Sequence, residues 1–241
     1  MPRAFDRLPV RRVDRAPTVA LGDHWPHTLP AVRHVLTDGL DLTPVTVLVG
    51  ENGSGKSTLV EALALAFGMS PEGGSTGARH STRATESDLF DDLRLTRGVG
   101  GARRGFFLRA ETMHGFYSYL EEHPGDRPEP RFHEMSHGES FISLLQSGRF
   151  DGPGLYVFDE PESALSFSGC LALVALLKEI AARGTSQAVV ATHSPLVAAV
   201  PGAVVHEVGE WGLRRSEWAD LTLTRTWQAF LRDPDSVLRH L

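Results

Sequence analysis

Eight consecutive residues, Gly50-Glu51-Asn52-Gly53-Ser54-Gly55-Lys56-Ser57, have the types and spacing to hold a polyphosphate. Glycines at such a turn let successive backbone N–H groups point inward with no Cβ in the way. A helix starting behind them adds partial positive charge. Lys56 is placed to reach β- and γ-phosphates and the Ser57 hydroxyl to ligate Mg2+, with Gly50, Asn52, Gly53, Ser54, Gly55 and Thr58 completing the cradle. Lys56 and Lys178 are the only lysines among 24 basic residues. A compact ammonium suits a phosphate better at this point than the planar fork of arginine. The competing reading is a Gly/Ser turn that matches the pattern by chance. It has to explain the setting: the β-branched apolar run 45–49 enters the turn, and Leu59, Leu63, Ala66 and Phe67 leave it at helical spacing until Gly68.

A second group of residues offers acid–base chemistry. The run Leu155-Tyr156-Val157-Phe158-Asp159-Glu160 reads as a strand buried on both faces, as in a parallel sheet, with two carboxylates at its C-terminal end. That end is where open α/β sheets bind ligands. Asp159 would hold the Mg2+ shell, and Glu160 would orient or deprotonate an attacking water; an acidic strand cap is the plainer reading. Another apolar strand, 187–191, delivers Thr192-His193-Ser194-Pro195 to the same edge, where His193 could reach a γ-phosphate, although a lone histidine is usually structural. Ser136-His137-Gly138-Glu139-Ser140 precedes the helical run Phe141, Leu144 and Leu145 and forms a second anion-attracting helix start. An ordinary helix cap explains it equally well.

Around these groups the chain needs strands and helices to hold them. Its 241 residues are 41% hydrophobic, enough for a substantial core, and the net charge of −6 gives no global attraction to nucleic acid or anionic membrane. The one cysteine, Cys170, lies in an apolar helical run and reads as packing. No signal peptide and no apolar run near 20 residues is evident, so a cytoplasmic protein without membrane insertion is expected. Residues 1–29 read as irregular with a short strand around 10–13, and 31–42 as an edge strand or a turn of helix. Further expectations are a Gly/Ser/Arg loop over 69–83, a short helix over 87–95, a strand over 105–110, a helix over 112–121 and a Pro-rich loop over 123–131. Downstream come a helix over 168–182, a strand over 203–208, a hairpin arm over 211–218, and a helical tail from Thr222 broken at Asp233-Pro234. His24 or Trp25 could stack on a base, against the plainer reading of a surface aromatic. Arg79, Arg83, Arg94, Arg97, Arg103, Arg104 and Arg109 could contact nucleic-acid phosphates. Glu86, Asp88, Asp91 and Asp92 lie among them and favour a self-paired surface.

The ordered set of the 50–57 loop, Ser136-His137-Gly138-Glu139, the 155–160 strand, the 163–166 loop and His193 resembles the ATP-binding cassette superfamily. Within it, the chain is similar to small stand-alone bacterial AAA-family ATPases of the SMC-like group, over roughly residues 45–208. The resemblance implies an α/β P-loop fold with a mostly parallel central sheet, flanking helices and a small helical subdomain carrying the signature. It implies one domain over 1–241, in which 1–68 and 151–241 form the nucleotide-binding core and 69–150 an insertion. It implies ATP and Mg2+ as cofactors and hydrolysis of ATP to ADP and phosphate in an ATP-dependent, head-to-tail homodimer. Ser136, Gly138 and Glu139 of one copy would contact the γ-phosphate on the other, Glu160 would act on water, His193 would hold the transferred group, and the 163–166 loop would link the sites. DNA maintenance or defence is the expected setting, with nucleic acid an open partner. Three departures stand out: Glu111 occupies the place of the usual glutamine, Ser166 stands where many relatives have aspartate, and coiled-coil heptads are absent. The alternatives are the ATPase subunit of a membrane transporter and a non-hydrolysing ATP-dependent scaffold. A P-loop kinase has no use for a signature acting in trans.

Overall fold

The computed structural model describes residues 7–76, 87–113, 117, 118, 120 and 132–239. In order, they form β1 (Arg12–Arg15), α1 (Pro30–Asp38), β2 (Leu40–Asp41), β3 (Val45–Gly50), α2 (Lys56–Phe67) and β4 (Gly74–Ser75). Then come α3 (Leu89–Asp92), β5 (Leu93–Thr96), β6 (Gly105–Arg109), α4 (His137–Leu145), β7 (Leu155–Asp159) and α5 (Phe167–Ala182). The chain closes with β8 (Gln187–Thr192), β9 (Val204–Gly209), β10 (Gly212–Arg215), α6 (Thr222–Arg232) and α7 (Pro234–Leu238).

Seven strands make one sheet in the order β10-β9-β3-β8-β7-β6-β4. The five central strands are parallel, and β10 and β4 run antiparallel at the edges. Both faces are covered, which is why β3, β7 and β8 are apolar without alternation. Successive residues of β7 serve opposite sides: Tyr156 and Phe158 meet α4 and α5 through Phe141, Leu144, Leu173 and Leu177, while Leu155 and Val157 meet α2 through Leu59, Leu63 and Phe67. Each fully buried side chain of this size contributes about 1.5–3 kcal/mol. The result is the expected α/β architecture, with the C-terminal ends of the five parallel strands lying side by side at one edge.

A small antiparallel sheet, β2-β1-β5, packs beside α1 and α2. It settles two readings that periodicity left open or misplaced. Residues 31–42 are a helix that stops at Gly39, where φ is +72°, followed by the short strand β2. The helix expected over 87–95 is confined to α3; from Leu93 the chain turns extended, because Leu93 and Leu95 alternate and pair with Arg15 and Val13 of β1. The strand expected at 10–13 sits two residues later, at β1. Of the stretch 69–150, β4 and β6 lie in the large sheet and β5 in the small one. Residues 77–83 of the expected loop, half of the 112–121 helix, the 123–131 loop, Arg79, Arg83 and Glu86 lie outside the described residues. The hairpin arm and the tail broken at Asp233-Pro234 form as read, as β10, α6 and α7. No helix among the described residues is long and apolar enough to cross a membrane.

Gln187 ties the amino-terminal segment to the sheet. Its buried amide accepts from Val10 N (3.0 Å) and donates to Val10 O (2.8 Å) and Thr43 O (3.0 Å). Gln187→Ala would leave buried backbone groups unpaired, so it should destabilise the chain by about 2–3 kcal/mol. The check is a urea titration followed by circular dichroism, in which an unchanged midpoint would contradict the bond network.

Candidate active site

The phosphate loop follows β3 and turns into α2 at the sheet edge. Three of its residues need to be glycine. A Cβ on Gly50 would stand 2.6 Å from the Val208 carbonyl oxygen of β9, and Gly53 and Gly55 have φ of +75° and +92°. Lys56 is only 3% exposed, and its ammonium donates to Gly50 O (2.9 Å), Glu51 O (2.8 Å) and Ser54 Oγ (3.3 Å). Burial lowers its pKa, while the negative charges of Glu160, Asp159 and Glu162 oppose the shift. The lysine is thus a desolvated cation that has borrowed its loop's own carbonyls. Asn52 and Gly53 are exposed, and Ser57 and Thr58 are half-buried at the head of α2.

β7 and β8 bring the acids and the histidine to the same edge. Asp159, 4% exposed, ends β7 with its Oδ1 buried and without a hydrogen-bond partner. Burial pushes its carboxyl up to about 6, against the opposing influence of the Ser57 hydroxyl and the Arg109 guanidinium. Glu160 follows in a left-handed conformation, φ 47° and ψ 48°, that few non-glycine residues adopt. Its N–H continues the β7–β8 ladder by donating to Ala191 O (2.9 Å), and its Oε1 lies 3.0 Å from His193 Nε2. Carboxylate and imidazole are thus within proton-transfer distance of each other.

Two residues at this edge carry no role at the nucleotide site in the sequence reading. Glu162 Oε1 accepts from Thr192 Oγ1 (2.7 Å) and from His193 N (2.5 Å), fixing the turn after β8 to the turn after β7. Arg109 stands opposite Asp159 in the β6–β7 register, 3.6 Å from its Oδ2, and pairs with Glu61 Oε2 of α2 at 2.8 Å. Pairing of β6 with β7 makes that neighbour, and no local spacing announces it. Glu111, in the place of the usual glutamine, is 78% exposed and 3.6 Å from Arg109 Nη2.

Ser136 caps α4 and Glu139 completes a capping box: Glu139 N donates to Ser136 Oγ (3.4 Å), and Glu139 Oε2 accepts from Ser136 N (2.9 Å) and Oγ (2.7 Å). These bonds hold the Glu139 pKa down. The first turn of α4 packs on the 161–164 turn, where a Cβ on Gly138 would stand 3.4 Å from Ala164 O. A cleft of about 600 Å3 opens beside the phosphate loop, lined by Gly50, Glu51, Asn52, Gly53, Ser54 and His193 on one side and by β9, the 210–211 turn that follows it and α6 on the other. None of residues 136–139 lines it.

The remaining candidates take plainer places. His24 stacks on His27 with ring centroids 4.8 Å apart, and Trp25 is half-exposed on the surface. Arg94 faces Asp14 (3.8 Å), Arg97 lies over the Phe67 ring (4.3 Å), and Arg104 donates to Arg149 O (3.1 Å). These are the bonds of a self-satisfied surface. Cys170 is buried in the core.

Comparisons with known proteins agree with this geometry. The AAA domain family model matches residues 37–105. The zinc import ATP-binding protein ZnuC of Paracoccus denitrificans is 30% identical over 186 residues, 70% of this chain and 66% of that protein. A solved metal-chelate type ABC transporter in an inward-facing conformation superposes with a TM-score of 0.50 at 16% identity, over 93% of this chain and 89% of its own, which marks a shared fold. The aliphatic sulfonates import ATP-binding protein SsuB 2 of Streptomyces avermitilis is 30% identical over 237 residues, 86% of each chain. With that similarity running through nearly its whole length, on a parallel sheet that gathers a phosphate loop and an acidic strand end at one edge, the chain belongs to the ATP-binding cassette family of P-loop ATPases.

Proposed function

We propose that this ATPase works as a head-to-tail pair of copies, each supplying half of two hydrolytic sites. The reading is carried by the convergence of Lys56, Asp159, Glu160 and His193 at the ends of β3, β7 and β8, with the Glu160 carboxylate 3.0 Å from the His193 imidazole. The loop amides of 50–57 cradle the triphosphate, and Lys56 exchanges its loop carbonyls for β- and γ-phosphate oxygens. Glu160 orients the attacking water and accepts its proton, and His193 holds the transferred phosphoryl group. Glu162 keeps that histidine in place. Ser136, Gly138 and Glu139 meet the γ-phosphate bound to the other copy; their absence from the cleft of their own chain supports a role in trans.

Mg2+ fits the donors present. The buried Asp159 Oδ1 lacks a partner, and the Ser57 hydroxyl acts on the same carboxylate, a pair of hard oxygen ligands. When bound, the ion would neutralise charge on the β- and γ-phosphate oxygens. A single domain over 1–241, a cytoplasmic location and a setting in DNA maintenance or defence complete the reading. A second reading, the ATPase subunit of an importer, is favoured by the name of the Streptomyces relative. Co-purification with an integral membrane protein would support it over the first.

Three substitutions test the site. Glu160→Gln should lower kcat at least about 100-fold while keeping ATP binding, and should run as a dimer in ATP and as a monomer without it. Full turnover would remove Glu160 from the chemistry. Lys56→Ala should abolish nucleotide binding by calorimetry. Asp159 is tested through pH. Its folded pKa of about 6 lies above its ordinary 3.8, so the folded state holds the proton more tightly and stability falls as pH rises from about 4 to 6. Without Mg2+ and nucleotide, Asp159→Asn should therefore be more stable than the parent at pH 7.5, by on the order of 2 kcal/mol, and show no such gain at pH 4. Thermal denaturation at the two pH values reads the difference.

A further inference from the structure

Two exposed apolar features stand at the nucleotide edge. Phe167 is 72% exposed and Leu171 48%, one turn apart at the head of α5, directly after the 163–166 loop. The second feature is the far wall of the cleft beside the phosphate loop, where the indoles of Trp211 (51% exposed) and Trp227 (47%) and the side chain of Leu223 stand. Exposed apolar groups gathered in this way mark contact surfaces.

We propose that Phe167 and Leu171 of one copy seat in the Trp211–Trp227 cleft of a second copy, an inference that rests on the head-to-tail reading above. The sheet order places the features. The knob follows the 161–164 turn, which Glu162 ties to Thr192 and His193 at the end of β8. His193 also lines the cleft, which lies over β3 and β9, so both features stand at one edge beside the end of β8. A twofold axis at that edge near β8 carries each knob onto the other copy's cleft, which is the self-complementarity a symmetric interface requires. The cleft also opens at His193 and the leading half of the loop and is not lined by Ser57 or Thr58, so it lies toward the transferred phosphate and away from the head of α2. An apolar knob entering there would exclude water from the site and couple closure to ATP.

The test uses the full chain carrying Glu160→Gln, in ATP and Mg2+, by sedimentation velocity. Adding Phe167→Asp should raise the dimer dissociation constant about a hundredfold, two buried phenyl groups being lost per dimer, while the monomer keeps its ATP affinity. Phe167→Leu should keep most of the dimer. A mixture of the single variants Phe167→Cys and Trp227→Cys should cross-link through a short bismaleimide only in ATP; Cys170 is buried and out of the reagent's reach. A dimer indifferent to Phe167→Asp, with no cross-link, would overturn this contact alone. A Glu160→Gln chain that stays monomeric in ATP would overturn both this contact and the head-to-tail reading. Loss of ATP affinity in monomeric Trp227→Ala would assign the cleft to the nucleobase and overturn the contact as well.

Discussion

Most of this molecule is arranged around a buried carboxylate that the protein itself satisfies poorly. Asp159 ends a strand covered on both faces, with one oxygen unpartnered and a carboxyl pushed up to about 6 by burial. Taking a carboxylate out of water is costly unless a charge answers it. Two cations stand near: Arg109, held against Glu61 and 3.6 Å away, and Lys56, turned toward its own loop. A site with an unanswered acid oxygen and a lysine bonded to expendable carbonyls is poised for a polyanion and a hard cation together.

That arrangement needs rigid support, which comes from crossed ties between adjacent strand ends. The Glu160 N–H donates to Ala191 O of β8, and Glu162 accepts from the hydroxyl of Thr192 and the N–H of His193. The strain of one non-glycine residue at positive φ is offset by these bonds. The same 161–164 turn supports the first turn of α4, so the 136–139 segment and the acidic strand end are mechanically joined within one chain. Glu139 occupies the helix start that Ser136 caps, which satisfies that anion-attracting end within the chain.

Local readings succeeded where one interaction dominates. Glycines forced by a neighbouring carbonyl or by positive φ, an apolar strand ending in acids, and a helix broken at Asp233-Pro234 are all legible because sterics over a few residues decide them. They failed where pairing decides. Residues 93–95 read as helix and fold into β5 because β1, far away in sequence, offers an unpaired edge. The arginines between 94 and 109 read as a surface with two uses, and only the positions of Asp14, Phe67, Arg149 and Glu61 showed that Arg94, Arg97, Arg104 and Arg109 have partners within the chain.

The sequence by itself determined the chemistry available: a phosphate loop, two acids at a strand end, a histidine after the next strand, and a capped Ser-His-Gly-Glu segment, all in the order of an ATP-binding cassette ATPase. These rest on short motifs whose meaning is carried by residue type and spacing. Only the tertiary structure decided which groups face one another. Strand order put Arg109 beside Asp159, brought Glu162 under His193 and left Glu111 in solvent. The reason is physical: sheet register and strand order are set by burial summed over the whole core, a quantity that no window of the sequence contains.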